Sequence, residues 1–368
     1  AMTYYGRWTY KYEEAARQGA SGLLIVHETG PAGYPWNVVL NGAVIPKLYL
    51  EPDDAYASRC AVEGWITSRA AGKLMDSYGY DLKELKEQAR QRDFQAVELD
   101  GSVDFAMQSS RQFAASRNIM GYLPGKERKD EVIIYSAHWD HLGVDPALED
   151  DSIYNGAVDN GTSLAWMMEI AEAFASLEEK PKRSVMFFAP TAEEQGLLGS
   201  KYYAENPLFP LNKTVANINN DLMLPYGRYK DVMVTGYGKS ELDDLLAEVA
   251  PRHDRYIYPD PNPHTGMYYR SDHFSFARVG VPALFARGNC DSREHGKQWA
   301  RQKEQFWLEN RYHEPSDEYN PETWDLSGIR DDARLFFEVG YHLANQDNFP
   351  GWKKGAEFKK IREKMIKE

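Results

Sequence analysis

Cysteine is almost missing from this chain: Cys60 and Cys290 are the only two in 368 residues. That excludes a disulfide framework and any zinc site built on thiolates, and leaves two free thiols or at most one bridge. Positive charge is short as well. Lys plus Arg number 43 against 56 Asp plus Glu, a formal net charge of -13, and nucleic acid as a main partner is excluded because phosphate binding needs a basic face. No run approaches the roughly 20 apolar residues that span a bilayer, so no membrane partner is expected. The opening AMTYYGRWTYKYEE is polar and aromatic, unlike a signal peptide. Two common hydrolase signatures are also missing. There is no G-x-S-x-G elbow and no H-E-x-x-H, since His313 is followed by Glu-Pro-Ser-Asp.

What is present is a series of short apolar runs. KYEEAARQG (11–19) reads as a helix, GLLIVHE (22–28) as a buried strand and IPKLYLEP as another, and 53–95 as helical and charged. From about residue 104 the pattern changes to EVIIYSA (131–137), SVMFFAP (184–190), TVANINN (214–220), DVMVTGY (231–237) and VPALFAR (281–287). TSLAWMMEIAEAFASLEE, between the first two runs, has helical spacing. Strands alternating with helices predict an α/β fold, a mainly parallel mixed sheet with helices on both faces. The expected division is a small domain over 1–103 and a larger one over 104–368. Ligands of such a sheet bind beyond the carboxyl ends of its strands.

The residues that follow the runs fit that rule. EVIIYSA leads to His138 and Asp140, SVMFFAPTA to Glu193 and Glu194, and TVANINN to Asp221. VDNGTS places Asp159 before the long helix, and YHEPSDEY holds His313. Taken singly, each has an ordinary use: a helix cap for Asp159, a solvated helix start for the glutamates, turn chemistry for Asp221. Together, two imidazoles and several carboxylates suit zinc, and less specifically Co2+ or Mn2+. Five ligands can serve two ions if one carboxylate is shared, and one further carboxylate must stay off the metals to take a proton from water. Neighbours in sequence project differently, so within Glu193–Glu194 one can ligate while the other faces the water.

The order HxD, VDNGTS, AEEQGLLGS, NNDLM, SDH…GVPAL, YHEPSDEY closely resembles the co-catalytic zinc aminopeptidase family over roughly residues 104–345. Relatives there include bacterial leucyl aminopeptidases, glutamate carboxypeptidase, glutaminyl cyclase and the transferrin receptor. The resemblance implies two Zn2+, with His138 and Asp221 on one, Glu194 and His313 on the other, and Asp159 bridging. It implies Glu193 as general base and Asp140 as the carboxylate that orients His138. Tyr268 matches a tyrosine that stabilises the oxyanion in some members, and Tyr312 the one used in others. Asp272, His273 and Asp317 fall in family motifs too, with loop and packing roles as an equal alternative. The implied function is an exopeptidase, foremost an aminopeptidase acting on peptides. The alternatives are a carboxypeptidase of the same fold, a glutaminyl cyclase with one zinc, or a non-catalytic receptor-like scaffold. YKYEEAARQGASGLLIVHE further resembles the helix–strand unit of a protease-associated α+β domain. Secreted relatives carry that domain as an insertion, which implies a secreted or periplasmic protein whose sequence opens inside the insertion. The polar, aromatic stretch 288–311 is expected to shape the substrate cleft.

Overall fold

The computed structural model describes residues 3–32, 35–37, 39–40, 47–51, 58–108 and 110–367. The chain divides into two compact units, the division falling between Ala115 and Ser116. In the first, helix Trp8–Arg17 precedes strand β1 (Gly22–His27), which pairs in parallel with β2 (Val62–Thr67). The Tyr12 hydroxyl donates to the Gly64 carbonyl at 2.7 Å and ties the helix to β2. Helices Ser68–Ser77 and Leu82–Gln88 follow, each with a side-chain cap: Thr67 accepts from the Ala70 amide, Asp81 from those of Lys83 and Glu84. The expected helical span 53–95 is therefore interrupted, because VEGWIT is rich in strand-forming residues and pairs with β1. The strand expected at IPKLYLEP does not form over its described residues 47–51; its other residues, like 53–57 of the helical span, lie outside the described ones.

The second unit is built on β3 (Ile119–Leu123), β4 (Arg128–Ser136), β5 (Gly143–Val144), β6 (Ile153–Tyr154), β7 (Arg183–Ala189), β8 (Thr214–Asn219), β9 (Asp231–Val234), β10 (Tyr256–Pro259) and β11 (Ala283–Arg287). β5 and β6 form a small antiparallel pair, and the other seven make one sheet in the order β10–β9–β11–β8–β4–β7–β3. The β10/β9, β11/β8, β8/β4 and β4/β7 pairs are parallel; β11/β9 and the edge pair β7/β3 are antiparallel. This is the mainly parallel mixed sheet with helices on both faces that the alternation predicts.

Both faces are covered, which is why the strands read as near-continuous apolar runs. On one face Ile133, Tyr135, Ile218 and Leu284 pack with Trp166 and Phe336, which belong to helices Thr162–Ala175 and Ser327–Asn345. On the other, Val132, Ile134, Met186 and Phe188 meet Tyr203 and Phe276. Gly340 allows the long helix to approach β4: a Cβ there would collide with the Tyr135 hydroxyl, which donates to the Phe336 carbonyl at 2.7 Å. No helix among the described residues is long and apolar enough to cross a membrane, and both cysteines are free.

β8, β4 and β7 are neighbours at the centre of the sheet, and their carboxyl ends lead to Asp221, His138 and the Glu193–Glu194 pair. Topology alone brings three separate strand ends to one place.

Candidate metal centre

His138 stands two residues beyond β4 and is 1 % exposed. Its Nδ1 donates to the Asp140 backbone carbonyl at 3.0 Å, which turns Nε2 inward. There Nε2 lies 3.3 Å from Asp159 Oδ1, 3.5 Å from Asp221 Oδ1 and 4.0 Å from Glu193 Oε2. A second group adjoins it. His313 Nε2 lies 3.4 Å from Asp159 Oδ2 and 3.1 Å from Glu194 Oε2, and His141 Nδ1 is 2.8 Å from Glu194 Oε1. The two oxygens of Asp159 thus face different histidines. Donor atoms of His138, Asp159 and Asp221 lie within 4.8 Å of one another, as do those of His141, Asp159 and Glu194.

Short local contacts aim these side chains. Asp317, buried, accepts from the Val158 and Asp159 amides at 3.0–3.1 Å and so fixes the Asp159 loop. Asp140 accepts from the Glu193 amide at 3.0 Å and the Glu194 amide at 3.3 Å. Its carboxylate therefore positions the glutamate pair, while Oδ1 is 3.8 Å from the His138 ring. The orienting acceptor for His138 is the Asp140 carbonyl and not, as the motif implied, the carboxylate. Ala192, Leu222 and His313 have φ of 54°, 57° and 59°. Non-glycine residues in that left-handed region persist only where the surroundings hold them, and these three adjoin or belong to the cluster.

Charge balance shows what the cluster needs. Asp159, Glu193, Glu194 and Asp221 face only histidines, with no lysine or arginine within 4.0 Å among the described residues. Burial works against a protonated His138, yet Glu193, Asp159 and Asp221 outweigh it and hold the imidazolium well above its ordinary range. His313 is raised to about 10 in the same way, Asp159 and Glu194 overcoming burial. Burial pushes the Glu193 carboxyl far up; His138 opposes, and Asp221, Asp272 and Glu194 add to the rise. For Glu194, His141 and His313 outweigh burial and bring it to about 2. His138 Nε2, Asp221 Oδ1 and His313 Nε2 are buried without a hydrogen-bond partner. Converging carboxylates and orphaned ring nitrogens fit divalent cations, which would supply the compensating charge.

The structure separates the two tyrosines. Tyr312 stacks on His313 with ring centroids 3.9 Å apart. Its phenol is pushed up by burial and then by Asp159, Glu194, Asp221 and Glu193, so it belongs to the cluster's surroundings. Tyr268 packs 4.7 Å from the His273 ring and beneath the Lys239 ammonium. After burial, the groups acting on its hydroxyl are Tyr269, Glu357 and Asp243, none of them in the cluster. Stretch 288–311 contains helix Gly296–Asn310, whose Trp299, Lys303 and Trp307 line a cavity of about 360 Å³ together with Val158 and Asp317 beside the Asp159 loop. His141 was not anticipated. The signal was the second histidine of HWDH, but its use depends on the loop between β4 and β5, which spacing does not reveal.

Residues 118–335 match peptidase family M28. Aminopeptidase NAALADL1 of Mus musculus is 32% identical over 125 residues, 33% of this chain and 15% of that protein. A probable glutamate carboxypeptidase of Arthroderma benhamiae is 28% identical over 254 residues, 63% of this chain and 31% of that protein. The chain therefore spans less than a third of the length of these curated relatives. Among solved structures, BSAP, a zinc aminopeptidase from Bacillus subtilis, gives a TM-score of 0.47 at 21% identity, covering 66% of this chain and 52% of that one.

Proposed function

The chain belongs to peptidase family M28, and from that premise we propose that it is a two-zinc exopeptidase, specifically an aminopeptidase. The observation that carries this reading is the split of Asp159, one oxygen 3.3 Å from His138 and the other 3.4 Å from His313. His138 and Asp221 would hold one ion and Glu194 and His313 the other, with Asp159 shared between them. His141 fixes the Glu194 carboxylate from behind. Zinc held there would supply a Lewis acid for the scissile carbonyl and lower the pKa of a water. Glu193, buried and aimed into the same space, takes the water's proton and delivers it to the leaving amine. The Tyr312 hydroxyl donates to the oxygen on which negative charge develops.

Two expectations follow from these roles. The zinc-loaded protein hydrolyses at least one member of an aminoacyl-anilide panel, and a chelator removes that activity until zinc is restored. No hydrolysis of any member by zinc-loaded protein contradicts the aminopeptidase reading. Tyr312→Phe lowers kcat by on the order of 10²-fold with little change in KM, the effect of losing one oxyanion donor, whereas Tyr268→Phe leaves kcat within a few-fold. Steady-state kinetics on the two variants check this, and the reverse ranking would move the donor role to Tyr268.

A further inference from the structure

Trp299, Lys303, Trp307 and Arg311 recur every four residues along helix Gly296–Asn310 and its cap. Side chains at that spacing are neighbours on one helix face, so rings and cations alternate along it. All four line the cavity of about 360 Å³. Tyr226, in the loop after β8, and Trp324, ahead of helix Ser327–Asn345, complete its aromatic lining. Tyr226 and Trp299 meet edge to face with ring centroids 6.2 Å apart. Trp307 is 2 % exposed and packs with Val158 and Leu224. None of the candidate metal ligands lines the cavity, and neither do Glu193 and Tyr312. An occupant therefore touches Val158 and Asp317, which support the Asp159 loop, and not the metals.

The charges around this cavity are unevenly matched. Its acids are engaged: Asp317 accepts from the Val158 and Asp159 amides, Asp325 accepts from the Ser327 amide at 2.9 Å, and Glu294 lies 3.6 Å from His295. Arg228 pairs with Asp331 at 2.5 Å. Lys303 and Arg311, both half-buried, have no carboxylate within 4.0 Å among the described residues. Arg311 donates to the Ser316 carbonyl at 2.9 Å. The Lys303 ammonium stands 5.5 Å over the Tyr226 ring and 5.5 Å over the Trp299 ring, contacts that attract the cation without neutralising it. A flat ring bearing one negative charge answers both features. The ring packs against the aromatic faces, and a carboxylate takes a charge-assisted hydrogen bond from the ammonium. The volume lies within the range of about 300–1,000 Å³ common to small-molecule sites.

We propose that this cavity binds a small aromatic carboxylate, its ring among Tyr226, Trp299 and Trp324 and its carboxylate on the Lys303 ammonium. The site is separate from the metal centre, so the proposal stands or falls independently of the peptidase reading. Calorimetric titration of the zinc-loaded chain with indole-3-acetate and with indole-3-acetamide tests it. The acid binds with a Kd of about 1 mM or tighter, the affinity expected of a ligand of that size. The amide, equal in shape and without the charge, binds at least about 10-fold more weakly, the effect of losing one charge-assisted hydrogen bond. Lys303→Met loses the same factor for the acid and leaves the amide unchanged, Lys303→Arg keeps the preference for the acid, and Trp299→Ala weakens both ligands. The acid binds equally well in chelator, because an ammonium and not zinc holds its carboxylate. No saturable binding of the acid, equal affinity for acid and amide, binding that disappears in chelator, or an acid affinity unchanged in Lys303→Met overturns the assignment. If Lys303→Met does not fold, the acid and amide on wild type, with and without chelator, decide.

Discussion

Zinc-loaded Glu193→Gln should retain the metal content and the fold of the wild type while losing about 10²–10⁴-fold in kcat, roughly the contribution of a positioned general base. The substitution preserves shape and hydrogen-bonding reach and removes only the ability to accept and release a proton. It also removes a carboxyl that folding must protonate in a crowded group. Glu193 is 8 % exposed, burial drives its carboxyl far up, and the charges of Asp221, Asp272 and Glu194 push in the same direction. The metal-free variant therefore melts no lower than wild type. Its backbone stays in place because the Asp140 carboxylate holds the Glu193 amide, whatever the side chain. Elemental analysis, melting and single-turnover kinetics on one preparation separate the possibilities. Normal metal content with near-normal turnover would take the proton-transfer role away from Glu193. Lost metal together with lost turnover would make it a ligand.

Asp159→Ala is expected to have a still broader effect, because one carboxylate serves both halves of the cluster. Removing residues that merely orient metal ligands costs about 10–100-fold in affinity, so removing a shared ligand should exceed about 100-fold for at least one ion and abolish turnover at ordinary zinc concentrations. The stability effect grows with metal. In chelator, burial raises the Asp159 carboxyl, but His138 and His313 outweigh it and hold it below its ordinary range; the variant loses those pairings and melts lower. With zinc in excess, the wild type also gains binding free energy that the variant cannot capture, and the gap widens. Thermal melts of both proteins in the two conditions check this. A gap of the same size in both would mean that Asp159 acts through its pairings and the loop that Asp317 anchors and not through a metal.

Much of this site was legible because the fold class gives strand ends a meaning. His138, Glu193, Glu194 and Asp221 follow apolar runs directly, and the central order β8–β4–β7 puts those ends side by side. Other parts depend on contacts that spacing does not carry. β3 and β10 are edge strands with exposed or half-exposed residues, so they lack the dense apolar signal of the central ones. Asp140 sits in the HxD motif as expected, but which of its oxygens meets His138 depends on the loop backbone, and the carbonyl does. Tyr268 and Tyr312 were equivalent in sequence; only packing sends one beneath Lys239 and the other onto His313.

The proposed mechanism requires Asp159 to lie between two cations. Anomalous scattering at the zinc edge, from crystals of the zinc-loaded protein, tests this most directly. The expected result is two peaks about 3.5–4 Å apart, one ligated by His138 and Asp221, the other by Glu194 and His313, with Asp159 touching both. A single peak, or zinc bound away from Asp159, would contradict it.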